Sequence, residues 1–156
     1  MPAEPALPRL LLAAAVAGSL DLAYAFALNA AAGVSPRQVL QFIASGLLGG
    51  AAFSGGWTTA LLGLLLHFGI VLVFVCTLYV ALGRLPWFAG HIWLAAFLCG
   101  SILYAVMNWL VMPLSLTPAL APVPVWRTAL EYGAHVVLVG LPAVWMLSFQ
   151  IEPVKP

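Results

Sequence analysis

Four stretches of this chain, residues 10–32, 57–82, 91–112 and 126–149, are apolar for long enough to cross a bilayer. A hydrocarbon core of about 30 Å takes about 20 helical residues at about 1.5 Å each. Inside lipid the backbone finds no water to bond, so a crossing segment closes its own hydrogen bonds as a helix. The expected class is therefore an all-α integral membrane protein with four transmembrane helices. Composition agrees: 65% of the 156 residues are hydrophobic, with five basic and four acidic ones, and mean hydropathy is +1.14. A soluble domain carries about a quarter charged residues; here lipid takes the place of that coat. The formal charge of +1 leaves no basic stripe, so no nucleic acid partner is expected. Cys76 and Cys99 both lie inside apolar windows and read as small packing groups, not as a disulfide framework.

Punctuation bounds each window. Pro8 and Arg9 precede the first, Gly83, Arg84 and Pro86 follow the second, Pro113 follows the third, and Glu152 and Pro153 follow the fourth. Trp57, Trp87, Trp93, Trp109 and Trp126 lie near window ends, where an indole keeps its ring in the apolar zone and its N–H wet. The small-x-small triplet Ala23-Tyr24-Ala25 has the form of a signal-peptide cleavage site. However, the apolar run continues past it and Asp21 stands just before it, which favours a retained first helix. Between the first two windows, Ser35 as N-cap and Pro36 in the first turn open a further helix over about 36–54, ending near Gly55 and Gly56. It reads as a short interfacial or re-entrant helix, with a fifth span as the rival. Its Ser45, Gly46, Gly49 and Gly50 offer a surface for close helix contact. The whole chain, 1–156, reads as a single transmembrane helical domain.

With four spans, Arg9, Arg84, Lys155 and the amino terminus share one face, and Arg37 and Arg127 the other. Basic residues favour the cytoplasm, which places both termini there by one charge. This topology gives the polar residues comparable depths. Asp21, His67, Asn108, Glu131 and His135, one or two from each span, fall at overlapping heights toward the non-cytoplasmic side. Facing inward, they form one pocket roofed by the 36–54 helix and the proline-rich loop 113–124. An ionisable side chain at such depth costs on the order of 2.5 to 3.5 kcal/mol, so it usually meets a partner, a cavity or a site.

Glu131 and His135, four residues apart, share one helical face; the carboxylate can accept from the imidazole or pair with Arg127 one turn earlier. A structural ion pair is the plain alternative to a proton-handling or ligand-holding pair. His67 is either a core histidine donating to a helix carbonyl or a second basic nitrogen of the site. Asp21 is expected to be neutral and bonded to a neighbouring Tyr or Ser, or else to complete the charge balance of the site. Asn108 is interhelical glue or a ligand, and His91 belongs at the interface. His67, Glu131 and His135 together contain donors suited to a transition metal, and His67 with His135 could ligate a b-type haem. Neither is favoured, because E-x-x-x-H recurs by chance and no H-E-x-x-H or C-x-x-C accompanies it. With no Walker A or G-x-S-x-G element either, an enzyme is the less supported class.

A further pattern runs from His67 through Phe74, Tyr79, the turn at Pro86, Pro113-Leu114-Ser115-Leu116-Thr117-Pro118, Trp126 and Glu131-x-x-x-His135. It resembles the YagU-like family of small bacterial inner-membrane proteins over more than half the chain, with the amino-terminal third outside the match. The resemblance implies a multi-pass protein of the inner (cytoplasmic) membrane and names no reaction. The positions it singles out are His67, Glu131 and His135, with Asn108 where relatives carry another polar residue. The function expected is handling of protons, a metal ion or a small ligand by the acid/histidine cluster, in a homo-oligomer or larger membrane complex. The alternative is an accessory or assembly subunit with purely structural polar residues, using the small-residue face Ala13, Ala14, Ala17 and Gly18 as its interface.

Overall fold

Local signals place each helix. The computed structural model describes residues 6–85, 88, 90–118 and 123–148. Pro86, Trp87, Phe149, Glu152, Pro153 and Lys155 lie outside the described residues, as does the middle of the proline-rich loop. The helices are α1 (Ala6–Ala30), α2 (Pro36–Leu48), α3 (Gly56–Arg84), α4 (Ile92–Leu114) and α5 (Val125–Ser148). Among the described residues there is no strand. Leu7–Ala30 of α1, together with α3, α4 and α5, is long and apolar enough to cross a bilayer, as expected of an all-α membrane protein. α1 ends, α3 begins, α4 ends and α5 begins on the side that carries α2, called here the α2 face.

α2 begins at the expected residue. Ser35 takes an extended conformation, its hydroxyl accepts from the Gln38 N–H, and the Gln38 side chain accepts from the Ser35 N–H, a reciprocal capping box. Its α-helical part is shorter than expected. Gly49, at φ +57°, breaks the α-helix after Leu48, and a 3-10 helix continues to Ser54. The 13 residues of α2 reach about 20 Å, short of the core thickness, so the fifth span is not formed. α2 packs on the start of α3 so closely that a Cβ on Gly63 would fall onto the Leu40 carbonyl. Leu40 also joins Leu22 of α1 and Ala60 of α3 in a small apolar cluster.

Gly46, the glycine of α2, faces a loop and not a second helix. The Leu116 N–H bonds the Gly46 carbonyl at 3.0 Å, one of the carbonyls that a helix end leaves without an internal partner. A Cβ on Gly46 would stand 3.7 Å from Thr117 Oγ1.

α5 lies between α1 and α4, and α3 backs α1. The main core fills the half away from α2, with Ala13 and Ala17 of α1, Val75 and Leu82 of α3, Ala95 of α4 and Leu147 of α5. Two wide turns interrupt the long helices: Met107–Val111 in α4 and His135–Gly140 in α5 are π-helical. Each lies just ahead of a proline, Pro113 and Pro142. A proline has no N–H and its ring collides with the carbonyl four residues back. Bonds spanning five residues, from the Met112 N–H to Met107 O and from the Leu141 N–H to Val136 O, absorb that conflict. With that conflict absorbed, α4 ends at Leu114, one residue past the proline at which the sequence bounds the third window. The helices then cross backbone to backbone. A Cβ on Gly100 would stand 2.5 Å from Val136 Cα, and one on Gly140 would stand 2.6 Å from the Ala96 carbonyl oxygen.

Candidate functional site

Arg127, in the first turn of α5, ties that helix to α1. Its Nε donates to Glu131 Oε1 at 3.1 Å and its Nη2 to Asn29 Oδ1 at 2.8 Å. Asn29 in turn donates to the Ala25 carbonyl at 2.8 Å. Arg127 and Glu131 keep side-chain exposures of 25% and 33%, so the pair is mostly but not fully buried. The carboxylate of Glu131 is thus committed to Arg127, as one sequence reading allowed.

His135 is held by the same residue in a different way. Its Nδ1 lies 2.8 Å from the Glu131 backbone carbonyl, which can only accept, so Nδ1 carries the hydrogen. Of the two pairings the sequence offered the Glu131 carboxylate, the one with Arg127 is made, and the imidazole bonds the backbone carbonyl of Glu131 instead. From His135 an edge-to-face series runs toward α4 through Tyr104 at 5.5 Å, Tyr132 at 5.5 Å and Phe97 at 6.5 Å. Ser101 gives its single proton to the Phe97 carbonyl at 2.6 Å, so the Tyr132 hydroxyl, 2.8 Å away, is the donor to Ser101.

His67 sits elsewhere, in the α1–α3 contact. Its Nε2–H donates to the Gly18 carbonyl at 2.9 Å, and the ring is buried. The close approach depends on Gly18, where a Cβ would stand 2.8 Å from Phe68 Cε1. This is the core-histidine arrangement, a hydrogen bond joining two spans.

Asp21, one turn beyond Gly18 on α1, is partly buried. The expected bond to a neighbouring Tyr or Ser is not made: among the described residues nothing hydrogen-bonds or ion-pairs with Asp21. Tyr24 follows three residues later. Its hydroxyl is buried without a hydrogen-bond partner among the described residues, and the charges that reach it are those of Glu131, Arg127 and Asp21. Tyr104, on α4, also lies in the field of Glu131.

The five residues read from the sequence are therefore divided. Glu131 is joined by Arg127 and Asn29, Asp21 stands apart from that group, and the charges of Glu131, Arg127 and Asp21 all reach Tyr24. His135 faces α4, and His67 is occupied between α1 and α3. Asn108 is exposed and turns back to the Tyr104 carbonyl of its own helix at 3.0 Å, outside the cluster. His67, Glu131 and His135 do not assemble as a metal set: the described residues contain no group of three or more His, Cys, Asp or Glu side chains placed to hold an ion. The His67 nitrogen that a haem iron would take is engaged by Gly18. Ala13, Ala14 and Ala17, the suggested interface with another chain, are instead at most 5% exposed within this chain's own core. Cys76 and Cys99 are free; Cys99 packs on that core, whereas Cys76 is exposed. Tyr24 and Tyr104 were not read as site residues from the sequence. The signal for Tyr24 was its i, i+3 spacing from Asp21 on one helical face.

No family model, curated protein or solved structure matches this chain.

Proposed function

We propose that this is a small multi-pass membrane protein whose acid/tyrosine cluster takes up protons from the α2 face. The observation that carries the reading is the carboxylate of Asp21, midway along α1 with no partner among the described residues. Asp21, Glu131 and Arg127 leave one negative charge unbalanced, which is costly at membrane depth. A proton restores neutrality without the several donors that a metal ion requires. Access is one-sided: polar and partly exposed groups line the α2 half, while alanine, valine and leucine side chains pack the other half.

The bacterial inner membrane is the proposed setting, from the YagU-like resemblance. The proposed orientation rests on one charge, with Arg9, Arg84 and Lys155 set against Arg37 and Arg127, and makes the face opposite α2 cytoplasmic. The test is infrared difference spectroscopy on the lipid-reconstituted protein as pH falls through the carboxylate range. A protonated carboxyl band that disappears in Asp21→Asn is expected. If the wild type gains no carboxyl band attributable to Asp21 or Glu131, the reading fails.

A further inference from the structure

Tyr24 carries a buried hydroxyl that no hydrogen bond among the described residues uses. Buried polar atoms are nearly always paired, and one that is not calls for an explanation. The aromatic ring alone would fill the same space in the α1–α5 contact, so a phenylalanine would serve packing as well. Its charged surroundings are Asp21 one turn away on α1 and the Arg127–Glu131 pair of α5, which Asn29 bonds to the same helix as Tyr24. Asn29, which anchors Arg127, lies on the same helix five residues further toward the α2 face. Three oxygen-bearing side chains thus descend from the α2 face toward mid-span: Glu131, Tyr24 and Asp21.

We infer that the Tyr24 hydroxyl is the relay that passes a proton from Glu131 to Asp21. The inference rests on the proton-uptake reading above and adds the route. A proton reaching the partly exposed Glu131 carboxylate displaces it from Arg127 and moves on to the Tyr24 oxygen as the phenol releases its own proton toward the Asp21 carboxylate. One O–H bond forms and one breaks at Tyr24, which is neutral before and after; Glu131 returns to its carboxylate form and Asp21 becomes the carboxylic acid. Because Tyr24 has no partner within hydrogen-bond distance among the described residues, each hand-over runs through a bridging water molecule or a swing of the ring hydroxyl. The groups facing the phenol are Asp21 on its own helix and Arg127 and Glu131 on α5. Beyond Asp21 the path meets His67 of α3, whose Nε2–H is taken by the Gly18 carbonyl, and then the apolar core of Ala14, Ala17 and Val71, so the proton stops at Asp21.

Tyr24→Phe separates the relay from a packing role, because the two make opposite demands. A hydroxyl with no protein partner supports nothing when packed, so its removal leaves thermal unfolding unchanged or raises the midpoint. A relay hydroxyl cannot be removed without slowing transfer. The experiment is a stopped-flow pH drop on the full-length protein in lipid nanodiscs with a soluble pH-indicator dye, following wild type, Tyr24→Phe, Asp21→Asn, and Tyr79→Phe as a control phenol in the apolar half. Expected are uptake of one proton by the wild type, loss of that uptake in Asp21→Asn, and at least tenfold slower uptake to the same final extent in Tyr24→Phe. Equal rates in wild type and Tyr24→Phe overturn the relay while leaving proton uptake standing. A wild type that takes up no proton overturns both. Equal slowing by Tyr79→Phe assigns the effect to a general change in the bundle and also overturns the relay.

Discussion

On the side away from α2, Ala13, Ala17, Val75, Leu82, Ala143 and Leu147 meet at 2% exposure or less. On the α2 side the spans meet through Arg127, Asn29, Glu131, Tyr132 and Ser101, with Asp21 and the Tyr24 hydroxyl left unpartnered among the described residues. Lipid is as apolar as leucine, so helices gain little from hiding leucine from it; they gain from close fit. Small residues provide that fit in the apolar half. In the polar half the side chains are longer, bond at particular points and leave polar atoms partly exposed. The difference teaches that packing density sets the stability of this bundle, while the polar contacts set what can enter it.

Four substitutions put that comparison at risk, from the largest effect to the smallest. Leu147→Ala, in the dry half, is expected to cost about 2 to 4 kcal/mol by opening a cavity, measured by reversible unfolding in mixed micelles. Gly100→Ala comes next, at about 1 to 3 kcal/mol, because its Cβ meets backbone of α5 that cannot swing aside. Intact stability in this variant would show that the α4–α5 crossing is looser than its geometry. Glu131→Gln is expected to cost about 1 kcal/mol or less, since the Arg127 pair is partly exposed, yet to abolish fast proton uptake. Should it destabilise as much as Leu147→Ala, the polar half is structural and the contrast collapses. Asn108→Ala, outside both regions, is expected to change stability by less than about 0.5 kcal/mol and uptake not at all; a strong uptake defect would restore Asn108 to the site.

The legibility of the sequence varied with how local the cause was. Ser35, Pro36 and Gln38 announce the start of α2 because capping is settled within four residues. The helical stretch from Pro36 ends at Ser54 beside Gly55, as the glycine pair indicates, but its change from α to 3-10 at Gly49 is not legible, since any of several glycines can adopt the positive φ. Pro113 marks the end of α4 to within a residue, whereas the π turn beginning at Met107 has no marked residue of its own. For the site, Glu131 and His135 were visible as expensive residues in an apolar run. Their partners were not, because Arg127 reaches Asn29 across 98 positions of sequence, and His67 finds Gly18 across 49.

Hydropathy accumulates along the chain, so the sequence by itself determined four membrane-length helices, the cap of α2 and the presence of ionisable groups at membrane depth. A span that is apolar around its whole circumference carries no stripe to say which side faces its neighbours. Only the tertiary structure decided that Ala13, Ala14 and Ala17 turn inward rather than toward another chain, that His67 is spent on the Gly18 carbonyl, and that the Tyr24 hydroxyl finds no partner among the described residues. The physical reason is that helix pairing in lipid rests on the fit of surfaces, which glycine and alanine permit at many positions and the assembled bundle uses at few.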